Sequence, residues 1–397
     1  MRKILAGLVL LAVVLSVWVS GNAYILRRLV FAPAWGEPAT SLLTTAVAFL
    51  GSLPFFQPIV EHFAGARRSR WLAWPGFLYM GLALLLIVGI GASNVVLAII
   101  GAAIPATPAA TLAVARAQAA AVVLVALAAG GTAIASGLRH PALRRVTVRL
   151  DRWPAGLDGF RIAQISDVHI GAILDRRFAE HVVERVNALD ADLIAVTGDL
   201  VDGAPEDLAD HVAPFAHLRA RHGVFFVTGN HDYYSGADRW IEHVARFGWR
   251  VLRNERVTIE HRGDRFDLAG VDDHRAYLFG GDHGEDVPRA LAGRDPERAV
   301  VLLAHDPTTF RTAARLGVDL QLSGHTHGGQ IWPFGYFVRL VVRFLAGEYE
   351  RDGAKLIVSC GTGFWGPPMR LAAPSEITEI VLRPALGVRE PEPRVAA

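Results

Sequence analysis

Cysteine is almost absent. Cys360 is the only one in 397 residues, so no intramolecular disulfide can staple the fold, which fits a reducing compartment. Charge of one sign is lacking too. Forty Lys and Arg stand against 38 Asp and Glu, a net charge of +2 with no basic stripe or arm, and a nucleic-acid partner is excluded on that ground. The long apolar runs also lack ionisable residues at their centres; Arg116 and the pair Glu61-His62 sit only near run ends. Ionisable groups inside a membrane mark transport pathways, so their absence argues against a transporter.

What is present is apolar and unevenly placed. Apolar residues make up 52% of the chain and the mean hydropathy is +0.31. They concentrate before about residue 135. Four runs, 4–25, 39–60, 71–91 and 112–134, each approach the ~20 residues that a helix needs to cross the hydrocarbon core. Gly51, Pro54 and Pro58 interrupt the second, which neighbouring helices can tolerate. The third can extend through 92–104, so three or five crossings are the alternatives to four. Arg2 and Lys3 precede a first run longer than a signal-peptide core of ~7–15 residues, which reads as an uncleaved anchor. Arg2, Lys3, Arg67, Arg68, Arg70, Arg139, Arg144 and Arg145 fall on one side, against Arg27 and Arg28 with Arg116 at an edge. The excess of basic residues in short loops marks the cytoplasmic face. The expectation is a multi-pass protein of the inner membrane with both termini and the C-terminal domain in the cytoplasm. Residues 1–140 form the helical region, 146–385 a soluble domain and 386–397 a disordered tail.

From Val146 onward, short β-branched runs alternate with helical spacing. Strands are expected at 161–166, 192–196, 223–227, 251–260, 267–270, 299–303, 319–322, 355–359 and 376–382. Helices are expected at 175–189, 206–220 and 237–247. Five of the strands end in a polar cluster: Asp167 with His169, Asp199, Asn230 with His231, His305, and His325 with His327. Ligands of layered α/β domains gather at the carboxyl ends of strands, so one rim can collect all five clusters. Any one of them alone is an ordinary turn residue.

His325 and His327 lie two apart in Gly324-His325-Thr326-His327-Gly328-Gly329, on a turn that glycine makes possible. Asp167, His169, Asp199, Asn230, His305, His325 and His327 are too many donors for one tetrahedral ion and suit two. Imidazole, carboxylate and amide oxygen without thiolate select Mn, Fe, Zn or similar divalent ions. Two such ions clamp the attacking and leaving oxygens of a displacement at phosphorus and acidify water towards pKa ~7.

Asp-x-His, Gly-Asp, Gly-Asn-His-Asp, a single His and Gly-His-Thr-His occur in that order. Over residues 161–383 the chain resembles the calcineurin-like metallophosphoesterase superfamily. The segments 328–333, 361–370 and 374–377 are similar to its membrane-associated phosphodiesterase branch. The resemblance implies a four-layer αββα sandwich behind an N-terminal bundle of about four membrane helices. It implies that Asp167, His169 and His327 hold one metal, that Asn230, His305 and His325 hold a second, and that Asp199 bridges them. His231 would face the phosphoryl group as acid or transition-state stabiliser, and Asp232 would orient it. Cys360 stands where that branch often has a basic residue, which bears on substrate contacts rather than on metal chemistry.

The leading expectation is a membrane-anchored binuclear phosphodiesterase whose partner is a phosphoester, lipid-linked as one option. Its rivals are a pyrophosphohydrolase of the UDP-2,3-diacylglucosamine type and, outside enzymology, a metal-binding membrane scaffold or sensor. Arg370 is a candidate phosphate contact, because guanidinium matches phosphate bidentately. The aromatic run Trp332, Phe334, Tyr336 and Phe337 is either an apolar lip or packing of an insertion.

Overall fold

The computed structural model describes residues 2–101 and 107–385; the tail expected at 386–397 lies outside the described residues. The chain divides into a helical unit, residues 1–138 with Gly366–Leu371, and an α/β unit made of the remainder.

The helical unit holds α1 (Arg2–Ile25), α2 (Ala39–Ala64), α3 (Ala66–Ile100) and α4 (Pro108–Gly137). Four spans are long and apolar enough to cross a membrane: Leu11–Phe31, which runs from α1 into the turn after it, Ala39–Glu61 in α2, Arg68–Ile100 in α3 and Pro108–Gly137 in α4. Pro54 and Pro58 do not break α2, and α3 takes up the apolar extension as far as Ile100. Thr107 caps α4 by accepting from the Ala110 N–H, with Pro108 in the first turn, where no N–H is needed. Many large apolar side chains stay exposed, including Leu42, Trp71, Ile99 and Leu124. The polar groups turn inward instead. A π-helical turn, Leu26–Phe31, prolongs α1 and carries Arg28, whose guanidinium donates to Asn94 Oδ1 (2.5 Å) and Gln118 Oε1 (2.8 Å). Gln118 in turn donates to Ser93 Oγ (2.7 Å). Arg27 and Arg28 are therefore helical residues and not part of a short loop. The segment Gly366–Leu371 is held in this unit by the Arg370 N–H, which donates to the Ala133 carbonyl (2.8 Å).

The α/β unit is a sandwich of two six-stranded sheets. Its strands are β1 (Ala142–Leu150), β2 (Phe160–Ile165), β3 (Leu193–Thr197), β4 (Val224–Val227), β5 (Arg250–Val251), β6 (Glu255–His261), β7 (Asp264–Gly270), β8 (Val300–Leu303), β9 (Leu320–Ser323), β10 (Gly347–Arg351), β11 (Ala354–Val358) and β12 (Glu376–Pro384). One sheet runs β1-β12-β2-β3-β4-β5 and the other β10-β11-β9-β8-β7-β6. Central strands β2, β3 and β4 are mutually parallel, as are β7, β8, β9 and β11. Parallel strands covered on both faces read as unbroken apolar runs. Leu193-Ile194-Ala195-Val196 obeys that rule: Leu193 and Ala195 enter the core between the sheets, while Ile194 and Val196 are buried on the opposite face.

The inter-sheet core draws on both sheets, with Val146, Ile162, Phe225, Phe266, Leu303, Leu322 and Leu382 among its members. Trp153 anchors one end against Phe266 (4.9 Å between ring centroids) and Phe160 (6.1 Å), and its indole N–H donates to the Leu157 carbonyl (3.0 Å). Two helical layers complete the αββα order. The first comprises α5 (Arg176–Asn187), α6 (Pro205–Val212), the short α7 (Asn230–Tyr234) and α8 (Ala237–Ala245). The second comprises α9 (Val287–Leu291) and α10 (Phe310–Arg315), packed through Ala290, Leu291, Phe310 and Ala313 onto the outer face of the β7-β8-β9-β11 sheet. A final helix, α11 (Phe334–Val341), follows the histidine turn and has no buried residue.

Two expectations are revised. The 206–220 helix ends early, because Pro214 converts its second half into a 3-10 turn, Ala213–His217. The 251–260 strand is two strands, β5 and β6, that belong to different sheets, since the chain turns between them with Asn254 at φ 54°. The strand β1, for which no element was expected, pairs in parallel with β12.

Candidate metal centre

β2, β3, β4, β8 and β9 end at one place, and each delivers donors just past its last residue. Asp167 and His169 follow β2, Asp199 follows β3, Asn230 opens α7 after β4, His305 follows β8, and His325 and His327 follow β9. Three trios of donor atoms result: Asp167, His169 and His327; His169, Asp199 and His231; and Asp199, His305 and His325. Within each trio the atoms lie within 4.8 Å of one another. His169 and Asp199 are each shared by two trios, so the three interlock. All these groups except His231 and His325 are buried, and those two are partly so.

The backbone is bent hard to achieve this. Asp167, His169, Asp199, His325 and His327 all adopt left-handed conformations, with φ between 51° and 73°. A non-glycine residue in that region costs on the order of 1 kcal/mol or more and persists only where its surroundings compel it. Two glycines make room. A Cβ at Gly324 would collide with the Ser166 hydroxyl and the Asp167 carboxylate, and one at Gly229 with the Asp199 carboxylate. The His325 N–H donates to both oxygens of Asp167 (2.9 and 3.1 Å), and the His231 N–H to Asp199 Oδ1 (2.8 Å).

Outer partners fix the rings. His305 Nδ1 lies 2.8 Å from the Thr197 carbonyl, which can only accept, so this nitrogen carries the proton and Nε2 is left as the donor atom. That Nε2 faces Asp199 Oδ2 at 3.1 Å and His325 Nδ1 at 3.2 Å. His169 Nδ1 (2.9 Å) and His231 Nδ1 (2.7 Å) both contact Asp202 Oδ1. His169 Nε2 then faces His327 Nε2 at 3.0 Å. Asp202 was not singled out in the sequence, although it follows Asp199 by three residues. Asp232 was expected to orient His231, but the carboxylate against the His231 ring is that of Asp202. The Asp232 carboxylate accepts from the backbone N–H groups of Gly229 (2.8 Å), Asp199 (3.0 Å) and Leu200 (3.0 Å), so it shapes the loops instead.

The electrostatics follow from this crowding. Burial opposes charge on His231, but the Asp199 and Asp202 carboxylates outweigh it and raise the ring to about 9. Burial likewise opposes charge on Asp202, and the His169 and His231 rings hold it well below the usual carboxylate range. Burial, then the charge of Asp199, lifts Asp232 to about 7 against its N–H donors. Burial and the neighbouring His305 push His325 down.

These residues suit divalent cations. Nitrogen lone pairs and carboxylate oxygens point at one another across 3.0–3.3 Å, which is favourable only with positive charge between them. Asn230 Oδ1 is buried without a hydrogen-bond partner, an acceptor left for an ion. The donor set contains no sulfur, as Mn, Fe or Zn sites of mixed imidazole and oxygen require.

The seven donors, His231 and Asp232 all belong to the α/β unit. Arg370 is buried in the segment grouped with the helices. Trp365 stands 5.7 Å from the His231 ring, held by Gln330, which donates to its carbonyl (2.8 Å) and accepts from its N–H (3.1 Å).

Residues 160–329 match the family model described as calcineurin-like phosphoesterase. An uncharacterized metallophosphoesterase of Aquifex aeolicus is 34% identical over 243 residues, covering 61% of this chain and 91% of that protein. A transmembrane protein with metallophosphoesterase domain from Bos taurus is 39% identical over 256 residues, or 62% of this chain and 58% of the relative. An uncharacterized metallophosphoesterase of Helicobacter pylori is 37% identical over 250 residues, or 62% and 65%. The match thus spans less than two thirds of the bovine and Helicobacter proteins.

Proposed function

Because this chain belongs to the metallophosphoesterase family, we propose that it is a membrane-anchored phosphohydrolase that holds two divalent cations and cleaves phosphodiesters. The observation that carries the reading is the interlocking of three donor trios through His169 and Asp199. Asp167, His169 and His327 would hold one ion, Asn230, His305 and His325 the other, with Asp199 shared. When bound, such a pair supplies hydroxide near neutral pH and offsets charge on the phosphoryl oxygens.

The protein groups do the rest. Asp202 accepts from the Nδ1–H groups of His169 and His231, which leaves His169 Nε2 free to ligate and turns His231 Nε2 towards the substrate side. His231 there serves as proton donor to the leaving oxygen, a role that contributes typically ~10²–10⁴-fold. Asp232 holds the Gly229 amide and the amides of Asp199 and Leu200, and so keeps the two donor loops in register. Trp365 walls the open side of His231. A cytoplasmic catalytic unit is supported by the four candidate spans, an even number, and by the basic residues of 66–70 and 139–145.

The test is hydrolysis of bis(4-nitrophenyl) phosphate by the full chain in detergent, after chelation and after Mn²⁺ is restored. Activity that returns only with metal is expected. Equal rates with and without chelator sink the reading.

A further inference from the structure

The helix directly after the histidine turn is built for neither a core nor water. In α11 no residue is buried, yet Phe334, Tyr336, Phe337, Leu340 and Val341 are large, apolar and exposed, and Trp332 precedes them, also exposed. Leu340 and Val341 are 83% and 75% exposed, which excludes the reading of this run as packing of an insertion. Apolar patches of this kind mark interaction surfaces. The patch does not stop at the helix. Val341 and Val342 line a cavity of about 380 Å³ whose other wall is Tyr277 and Leu278, and Tyr277, Leu278 and Phe279 are exposed as well. Asp306, whose Oδ2 lies 3.8 Å from His325 Nε2, is on the same cavity. Two exposed apolar elements thus flank one opening at the edge of the donor cluster.

Three observations select the occupant. Between Ile331 and Gly347 there is no acidic residue, while Arg339 and Arg343 are exposed and without ion-pair partners among the described residues. Trp, Tyr, Phe and Leu beside Arg is the composition of interfacial helices, whose apolar side enters the acyl boundary while the basic side chains meet anionic headgroups. The chain also brings a bilayer with it, since four of its helices are long and apolar enough to cross one. We propose that α11 with Trp332, together with the turn Ala276–Phe279, is a membrane-surface docking element that lies in the headgroup layer of a bilayer containing anionic phospholipid. The edge of the donor cluster then opens at the lipid surface. This holds whether or not the catalytic reading above is right, because contact with lipid does not depend on turnover.

The full chain is reconstituted into vesicles of phosphatidylcholine with phosphatidylglycerol. Leu340→Cys on a Cys360→Ala background carries an environment-sensitive fluorophore, and Glu297→Cys, exposed and outside the patch, is the control. The label at 340 is expected to shift to the blue and to be quenched by headgroup-proximal nitroxide lipids, with little response to iodide; the label at 297 should show the reverse. Iodide quenching at 340 equal to that at 297 overturns the proposal. So does shielding at 340 from both quenchers, which would mean that protein covers the helix. Should the background variant not fold, amide hydrogen exchange of the wild-type chain decides. Residues 332–343 should exchange several-fold more slowly in anionic nanodiscs than in detergent-free amphipol, and equal rates overturn the proposal.

Discussion

Replacing Asp202 separates a working catalytic centre from a mere collection of metal donors. Its Oδ1 accepts from two imidazoles, His169 at 2.9 Å and His231 at 2.7 Å. Hydrogen bonds to a charged group contribute about 1.5–3 kcal/mol each when buried. The Asp202 side chain is 27% exposed, which argues for the lower end. Asp202→Asn keeps an accepting oxygen and loses only the charge, so kcat is expected to fall ~10-fold. Asp202→Ala loses both bonds and frees both rings, and ~100-fold is expected, the size of effect seen when outer partners of metal-ligating histidines are removed. Those losses correspond to about 1.4 and 2.7 kcal/mol in the barrier. The assay is steady-state hydrolysis of diaryl phosphates with 4-nitrophenyl or phenyl leaving groups, with metal content measured in parallel. If His231 donates the proton and Asp202 positions it, the poorer leaving group, phenoxide, suffers the larger loss. A kcat for Asp202→Ala within twofold of wild type, or equal losses for both leaving groups, would refute the reasoning.

Asn230→Ala and His325→Ala should each remove about one metal equivalent per chain by elemental analysis; full occupancy in both would remove the second-ion assignment. Gly324→Ala drives a methyl group into Ser166 and Asp167, and overpacking of this kind costs about 1–3 kcal/mol, read as a lower thermal midpoint in detergent. Away from the metal centre, His222 lies 3.0 Å from His261 and stacks on Phe160, and burial followed by the His261 charge lowers its pKa. A histidine with a depressed folded value takes up more protons when unfolded. It therefore lowers stability as pH falls from its unfolded value of ~6.5 through the folded one. The unfolding midpoint should drop between pH 7.5 and 5.5, and less in His222→Gln; identical drops would show that this pair does not contribute. A C-terminal reporter fusion should be active only in the cytoplasm, and a signal from the opposite side overturns the orientation.

Apolarity and length are local properties, so four helices apolar and long enough to cross a membrane were legible in the sequence, while the stretch beyond residue 91 stayed an alternative that α3 takes up as far as Ile100. The candidate donors were legible for a similar reason. A parallel strand announces itself by an unbroken β-branched run, and its carboxyl end is where a polar residue next to glycine stands out. Asp167, His169, Asp199, Asn230, His305, His325 and His327 all occupy such positions. Partnership is different, because it depends on which loops fold side by side. Asp232, adjacent to His231 in the chain, bonds three backbone amides, while Asp202, from the β3 loop, reaches the ring. Nor does composition tell a buried aromatic cluster from an exposed one; both read as Trp, Phe, Tyr and Leu, and only the packed structure leaves α11 uncovered. Sequence alone determined which polar residues end the strands and which segments are apolar and long enough to cross a membrane, since both follow from short-range pattern. Tertiary structure alone decided the strained φ angles of five donor-loop residues, the ring-holding role of Asp202 and the exposure of α11, since each depends on contacts between residues distant in the chain.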